Sequence, residues 1–213
     1  MASSAAVVRR VEGSSVGWSF WLKWFLACLA GFVVGIPLFI GLGLLFGDTP
    51  GPVVGNAAAG VIHGAEFGIA EWLILRRQVH KVGWWVVASI LGFMIGFPLT
   101  KTLLGELSSG LVVAGVEGAV VGAIVGALQW LVLRGRVAHA GWWVLASTLA
   151  WMLSVVLGEL GGLAAGVDFV ADLLRVILGA ALSGAGMVWL LRQAAPGAHH
   201  DAAEAPQIRR TQA

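Results

Sequence analysis

The chain has 213 residues, of which 59% are hydrophobic and 11% charged, with a net charge of +2 and a mean hydropathy of +0.91. A water-soluble domain cannot bury so large an apolar fraction, so the composition excludes a soluble globular protein and indicates one that resides in a bilayer. The single cysteine, Cys28, excludes an intramolecular disulfide.

Apolar segments long enough to cross the hydrocarbon core, which takes about 20 helical residues, occur six times along the chain. They cover 21–46, 52–75, 83–104, 110–133, 141–165 and 169–191. The sequence therefore predicts an all-α integral membrane protein with a six-helix membrane domain over 18–193. We expect residues 1–17 to form a basic cytoplasmic arm and the polar stretch 194–213 to form a disordered cytoplasmic tail.

The positive charges indicate an orientation, because all of those in or near the predicted domain fall on one side except Lys101 and Arg175. By the positive-inside rule, we expect a bacterial inner (cytoplasmic) membrane protein with both termini in the cytoplasm. Ten of the eleven tryptophans lie at that same boundary, where indole rings usually sit among lipid headgroups, whereas Trp151 lies deeper.

An internal repeat relates EWLILRRQVHKVGWWVVAS at 71–89 to QWLVLRGRVAHAGWWVLAS at 129–147 by a shift of 58 residues. A shift of 61 residues aligns GFVVGIPL at 31–38 with GFMIGFPL at 92–99. These matches predict three tandem helical hairpins. Their bounds are about 18–80, 81–138 and 139–193.

Small residues recur at every fourth position of the even-numbered helices, a spacing that lets membrane helices approach closely. The aligned glycines are Gly60, Gly64 and Gly68, then Gly118, Gly122 and Gly126, and in the last hairpin Gly184. We expect helices 2 and 4 to pack tightly, with the even helices forming a glycine-rich inner layer and the odd helices an outer one. The alternative is that glycine is simply common in membrane helices.

The hairpin pattern QWLVLR…AGWWVLAS resembles one seen in uncharacterised multi-pass membrane proteins of bacteria, particularly cyanobacteria, and the resemblance covers residues 18–193. The third hairpin departs from it, with VWLLRQ at 188–193 in place of QWLVLR. The resemblance implies a membrane location and a repeated hairpin fold. It implies no activity and no catalytic residue.

Polar residues within the predicted helices are candidates for a functional site, because polarity is costly in the bilayer. His63 and Glu66 share one helical face, with Glu66 near the midplane, and Glu71 and Gln129 lie closer to the basic side. His63 and Glu66 are expected to bond a neighbouring helix, share a proton or bind a cation; the alternative is a purely structural contact. His63 is the only histidine inside a predicted transmembrane segment, but no cofactor is predicted.

Charged residues of opposite sign occupy equivalent repeat positions towards the other side. Glu117 matches Arg175, and Lys101 matches Glu159, in each case 58 residues apart. If the hairpins surround a common axis, each of these pairs is expected to meet and reduce the cost of burial. Such pairs either gate a cation-attracting entrance or only lock the register of the hairpins.

The sequence excludes some classes of function but does not identify one. No serine-nucleophile or zinc-protease motif is present, so we expect no enzyme, no metal centre and no nucleic-acid partner. The leading hypothesis is a non-catalytic accessory or scaffold subunit that packs through its glycine-rich faces, as a homo-oligomer or within a larger membrane complex. The alternative is a small channel or transporter for ions, protons or solutes. Its route would be lined by His63, Glu66, Glu71 and Gln129 and gated by Glu117 and Arg175. A third possibility is the binding of pigment, quinone or lipid between helices.

Overall fold

The computed structural model describes residues 16–46, 51–105, 107 and 110–193. Within these residues the chain forms six α-helices and no β-strand. The helices are α1 (Trp18–Phe46), α2 (Gly51–Leu75), α3 (Trp85–Leu104), α4 (Leu111–Leu133), α5 (Trp142–Ala165) and α6 (Asp168–Gln193). Their ends differ from the predicted ends by at most three residues, and all six are long and apolar enough to cross a membrane. The predicted tail and all but the last two residues of the predicted arm lie outside the described residues.

The helices form a closed ring. Each contacts the helices that precede and follow it in the chain, and α6 contacts α1. Among the described residues, no other pair of helices has Cα atoms within 8 Å. The predicted tight packing of α2 against α4 is therefore wrong, because their backbones do not approach each other, and the even helices do not pack together as an inner layer.

The glycines of α2 explain this difference, because they face α3. A Cβ at Gly60 or Gly64 would overlap the α3 backbone, and one at Gly68 would lie 2.8 Å from Ser89 Cβ. Close packing through small residues does occur, as expected from their spacing. The partner is the following odd helix, because the short turn at 76–84 places α3 directly beside α2.

The glycines of α4 make the equivalent contacts with α5. A Cβ at Gly118 would lie 2.7 Å from Trp151 O, one at Gly122 would lie 2.7 Å from Ser147 O, and one at Gly126 would lie 2.8 Å from Ser147 Cβ. On α6, a Cβ at Gly184 would lie 3.0 Å from Trp24 Cδ1 on α1. Each even helix therefore packs its small residues against the odd helix that follows it around the ring.

Two turns join α2 to α3 and α4 to α5, at 76–84 and 134–141, and they mark what we call the basic end of the ring. They have the same backbone conformation at one equivalent position, where Lys81 has a φ of 58° and His139 a φ of 57°. The basic residues of these turns are Arg76, Arg77, Lys81, Arg134 and Arg136. Two of them lie over tryptophan rings one helical turn earlier, Arg76 over Trp72 and Arg134 over Trp130.

Inside the basic end, the ring is filled by side chains that are at most 2% exposed, which we call the sealing layer. Its members are Trp24, Leu75, Val82, Trp85, Leu133, Trp143, Met187 and Leu190. They belong to one hydrophobic cluster with contributions from all the helices and from the turn after α2. The sealing layer closes the centre of the ring at the basic end.

Three of these tryptophans correct the prediction that their indoles lie among lipid headgroups. Trp24 and Trp85 are 0% exposed and Trp143 is 2% exposed, so all three lie inside the ring. Trp84, which precedes Trp85, is 70% exposed, and Trp142, which precedes Trp143, is 53% exposed. Two adjacent tryptophans on a helix point in different directions, so only one of each pair can face the lipid.

Candidate functional site

An axial cavity of about 840 Å³ occupies the centre of the ring and is lined by all six helices. It extends from the sealing layer towards the end opposite the basic end. Three groups of lining residues succeed one another along it. The floor, next to the sealing layer, comprises Cys28, Glu71, Gln129, Trp143, Ser147 and Ser183; the aromatic wall comprises Phe39, His63, Phe67, Phe93, Phe97 and Trp151; and the mouth comprises Lys101, Glu117, Glu159, Asp172 and Arg175.

A hydrogen-bond network ties the floor together. Trp85 Nε1 donates to Glu71 Oε2 at 2.9 Å, and Trp143 Nε1 donates to Gln129 Oε1 at 2.8 Å. Gln129 Nε2 then joins the two halves, donating to Glu71 Oε2 at 3.2 Å and to Ser89 Oγ at 2.9 Å. The predicted residues Glu71 and Gln129 are thus brought together, and both are nearly buried, with exposures of 8% and 3%.

The third sector of the floor is built differently. Met187, 58 residues beyond Gln129, is 0% exposed and carries no hydrogen-bonding group that matches a carboxylate or an amide. Trp24 Nε1 donates instead to Ser183 Oγ at 3.1 Å, one helical turn earlier on α6. The floor is therefore polar on the sides of α2 and α4 and mostly apolar on the side of α6.

The aromatic wall surrounds His63. The ring centroids of Phe39, Phe67, Phe93 and Phe97 lie 4.8, 5.6, 6.0 and 5.3 Å from that of His63. Trp151 continues the wall from α5, with its ring centroid 4.9 Å from that of Phe93. The imidazole Nδ1 has no hydrogen-bond partner among the described residues.

Glu66 lies outside this cavity lining, unlike His63. His63 Nδ1 and Glu66 Oε1 are 3.7 Å apart, too far for a hydrogen bond, and the Glu66 side chain is 3% exposed. Its carboxyl group lies against Gly35 on α1, where a Cβ would overlap Glu66 Oε2. The two residues were predicted to share one helical face. His63 lines the cavity, whereas Glu66 lies in the contact between α1 and α2.

The mouth carries the four predicted charges, but the predicted pairing is wrong. Lys101 Nζ lies 3.2 Å from Glu117 Oε1, and Arg175 Nη2 lies 2.7 Å from Glu159 Oε2. Arg175 Nη1 also contacts Asp172 Oδ1 at 3.0 Å. Residues in equivalent repeat positions lie on helices that are not neighbours in the ring, such as α4 and α6. Each charged residue therefore pairs with a residue of the adjacent helix instead.

These two ion pairs occupy the same place with opposite polarity. The α3–α4 pair places the cation on the odd helix, and the α5–α6 pair places it on the even helix. The corresponding positions of the first hairpin, 61 and 58 residues earlier, hold the uncharged Ile40 and Ala59. The mouth is therefore charged on two sides and apolar on the third.

Sequence reasoning missed the phenylalanines of the aromatic wall and the two serines in the first turns of α3 and α5. Phenylalanines are expected anywhere in an apolar helix, so nothing in their spacing distinguished Phe67 or Phe93 from residues that face lipid. Ser89 and Ser147 carried a usable signal, because each lies one helical turn after the paired tryptophans and the two are related by the shift of 58 residues.

Comparisons with protein-family models, curated proteins and solved structures give no significant match for this chain. The resemblance to repeated-hairpin membrane proteins therefore stays a prediction. What the six helices define is a protein compatible with multiple membrane crossings. Its distinguishing feature is a central cavity with a polar floor, an aromatic wall and a charged mouth.

Proposed function

We propose that this protein is a non-catalytic membrane protein that binds an apolar or amphiphilic small molecule in the axial cavity. The observation that carries the proposal is the cavity itself, which at about 840 Å³ lies within the roughly 300–1,000 Å³ typical of small-molecule sites. Aromatic side chains supply most of the contact surface in such sites, and a few polar groups orient the ligand.

Packing within the chain makes a scaffold that works through its glycine faces less favourable. The six aligned glycines of α2 and α4 are covered by α3 and α5, so they are not free to receive a partner helix. An accessory role in a larger complex or a homo-oligomer remains compatible with ligand binding, but it would use other surfaces.

A channel is supported less well than a closed binding site. Glu66 does not line the cavity, and Glu71 and Gln129 are bonded to each other and to buried tryptophans. Beyond them lies the sealing layer, so a continuous polar route would require this packed layer to open.

We also propose that the protein lies in the bacterial inner membrane with the basic end and both termini in the cytoplasm. The basic turns at 76–84 and 134–141 support this orientation through the positive-inside rule. The cavity mouth would then face the opposite side. Single-cysteine variants His80→Cys and Leu107→Cys, in a Cys28→Ser background, should react with a membrane-impermeant maleimide from opposite sides of sealed vesicles.

The three predicted hairpins form a pseudo-threefold arrangement in this proposal. Its support comes from residues 58 apart that make the same contacts: Trp85 and Trp143 both donate to α2 or α4, and Glu71 and Gln129 both accept. The hairpins share a design but differ at the floor and mouth. A cavity with three unlike sides suits an asymmetric ligand.

The direct test is native mass spectrometry of protein extracted from its own membrane in a mild neutral detergent. We expect a bound small molecule in the wild type that is lost in Val155→Trp, which places a large ring in the cavity. The matched control is Leu157→Trp on the same helix, at a residue that is 42% exposed on the outside of the ring. Adducts that are identical in all three proteins would contradict the proposal, because they would report lipid on the outer surface.

A further inference from the structure

The floor of the cavity offers the carboxyl group of Glu71 and few free donors. Both hydrogen bonds that Glu71 receives from Trp85 and Gln129 go to Oε2, and Glu71 is one of the residues that line the cavity. Ser147 Oγ donates to Gly122 O at 2.9 Å, so its proton is used within the protein. Ser183 Oγ lies 3.4 Å from Ala180 O, which accepts its proton. A ligand group that reaches the floor therefore meets a carboxyl group that two hydrogen bonds hold in place.

Positive side chains are distant from the carboxyl group of Glu71. Among the described residues that line the cavity, the only lysine and the only arginine are Lys101 and Arg175, both at the mouth. On α4, Gln129 at the floor and Glu117 at the mouth are separated by 12 residues, or about 18 Å of helix. Among the residues that the structure describes, Glu71 thus has no cationic partner, and a buried carboxylate is stabilised strongly by an opposite charge.

The mouth favours the same sign of ligand. Its two cations are each held by carboxylates, and Arg175 contacts both Glu159 and Asp172. Three carboxylates against two cations leave one net negative charge at the entrance. Such an excess attracts cations and disfavours anions.

Between the mouth and the floor, the aromatic wall provides the third contribution. The faces of phenylalanine and tryptophan rings attract cations, most strongly where water is excluded. Phe67, Phe93 and Trp151 line this part of the cavity, and Trp143 lines the floor beside Gln129. Aromatic rings also bury the apolar part of a ligand, so one surface serves both halves of a hydrophobic cation.

We propose that the cavity binds a hydrophobic organic cation, with the cationic group directed to the carboxyl group of Glu71 and the apolar part against the aromatic wall. This proposal rests on the proposed function, since it specifies the class of molecule that the cavity takes. The apolar side of the mouth at Ile40 accommodates the hydrophobic part of the ligand.

Two probe ions of nearly the same size and opposite charge test the sign preference, tetraphenylphosphonium and tetraphenylborate. Binding is measured by equilibrium dialysis of the full chain in a neutral detergent, with protein-free micelles as the baseline. We expect the wild type to bind the phosphonium about tenfold or more tightly than the borate, a difference on the scale of contacts to a charged group. Equal binding, or tighter binding of the borate, would overturn the proposal without any substitution.

The role of Glu71 is tested by Glu71→Gln, which keeps an acceptor for Trp85 just as Gln129 accepts from Trp143. We expect phosphonium affinity to fall about tenfold or more while borate affinity changes less than about twofold. The control is Glu66→Gln, an equally buried carboxyl of α2 outside the cavity lining, which should leave both affinities unchanged. An equal loss in the two variants would overturn the assignment to Glu71.

The proposed function fails separately from this inference. If neither ion binds the wild type, or if Val155→Trp leaves the binding of both ions unchanged, the cavity is not the binding site at all. If both ions bind and Val155→Trp abolishes both, the cavity binds hydrophobic molecules, and only a preference for the cation that depends on Glu71 supports the further inference.

Discussion

Glu71 and Gln129, 58 residues apart in the chain, meet across the floor of the ring, where Gln129 Nε2 donates to Glu71 Oε2 at 3.2 Å. Each also accepts a hydrogen bond from the tryptophan 14 residues further on, Trp85 in one case and Trp143 in the other. The same local arrangement thus occurs twice, and the two copies are bonded to each other. This hydrogen bond joins α2 and α4 across the cavity although no Cα atoms of the two helices lie within 8 Å of each other.

Trp85→Phe should destabilise the protein by about 1–2 kcal/mol, because it removes a buried donor to Glu71 and part of a fully buried ring. The adjacent Trp84→Phe should change stability by less than about 0.5 kcal/mol, since that side chain is 70% exposed. Reversible unfolding in mixed micelles with increasing dodecyl sulfate measures both. Similar losses in the two variants would mean that both indoles serve the same role.

Gln129→Met should cost about 2–3 kcal/mol, because it leaves the Trp143 N–H without its acceptor and removes a donor from both Glu71 and Ser89. Methionine is chosen because it occupies the equivalent position at 187 and conserves volume. Met187→Leu is the control and should cost less than about 1.5 kcal/mol. The same unfolding assay measures the stability of both variants. If Gln129→Met is as stable as the wild type, the network contributes nothing to stability.

The charge pairs of the mouth predict which double substitutions restore stability. Glu117→Lys places two cations together and should cost up to about 1 kcal/mol, since the Lys101 side chain is half exposed and solvent screens the pair. Adding Lys101→Glu should recover the loss, because it reproduces the polarity already present between Glu159 and Arg175.

A different exchange separates the observed pairing from the one expected from the repeat alone. Glu117→Arg combined with Arg175→Glu leaves Lys101 beside an arginine and Glu159 beside a glutamate, so it should remain destabilised. A double-mutant cycle measures the coupling energy of each pair. Recovery in this second exchange would show that residues 117 and 175 interact directly.

Glycine substitutions should separate tight from loose helix contacts. Gly122→Ala should destabilise by about 2 kcal/mol, because the added Cβ would lie 2.7 Å from Ser147 O and force α4 and α5 apart. Gly96→Ala should be neutral or slightly stabilising, since the nearest atom to its Cβ, Val121 Cγ2, is 3.4 Å away. Thermal denaturation of the two variants in one detergent provides the comparison. Equal tolerance would contradict the close contact between α4 and α5.

Hydropathy and length alone determined the class and the six helices, because a bilayer requires about 20 apolar residues per crossing and permits few other structures. The predicted helices were confirmed to within three residues at every end. Glu71 and Gln129 were candidates for the site because polar residues are costly within a membrane helix, and the shift of 58 residues places them at equivalent positions.

Only the tertiary structure decided which faces meet. Spacing shows that Gly60, Gly64 and Gly68 share a face, but not whether α3 or α4 covers it, and the helices close into a ring rather than forming layers. Spacing likewise did not show that the ion pairs join adjacent helices. Hydrophobicity could not show that three of the tryptophans are buried, since lipid and protein interior are equally apolar. In a soluble chain, hydrophobicity distinguishes inside from outside; in a membrane chain it does not, and that assignment depends on the packing of one helix against the next.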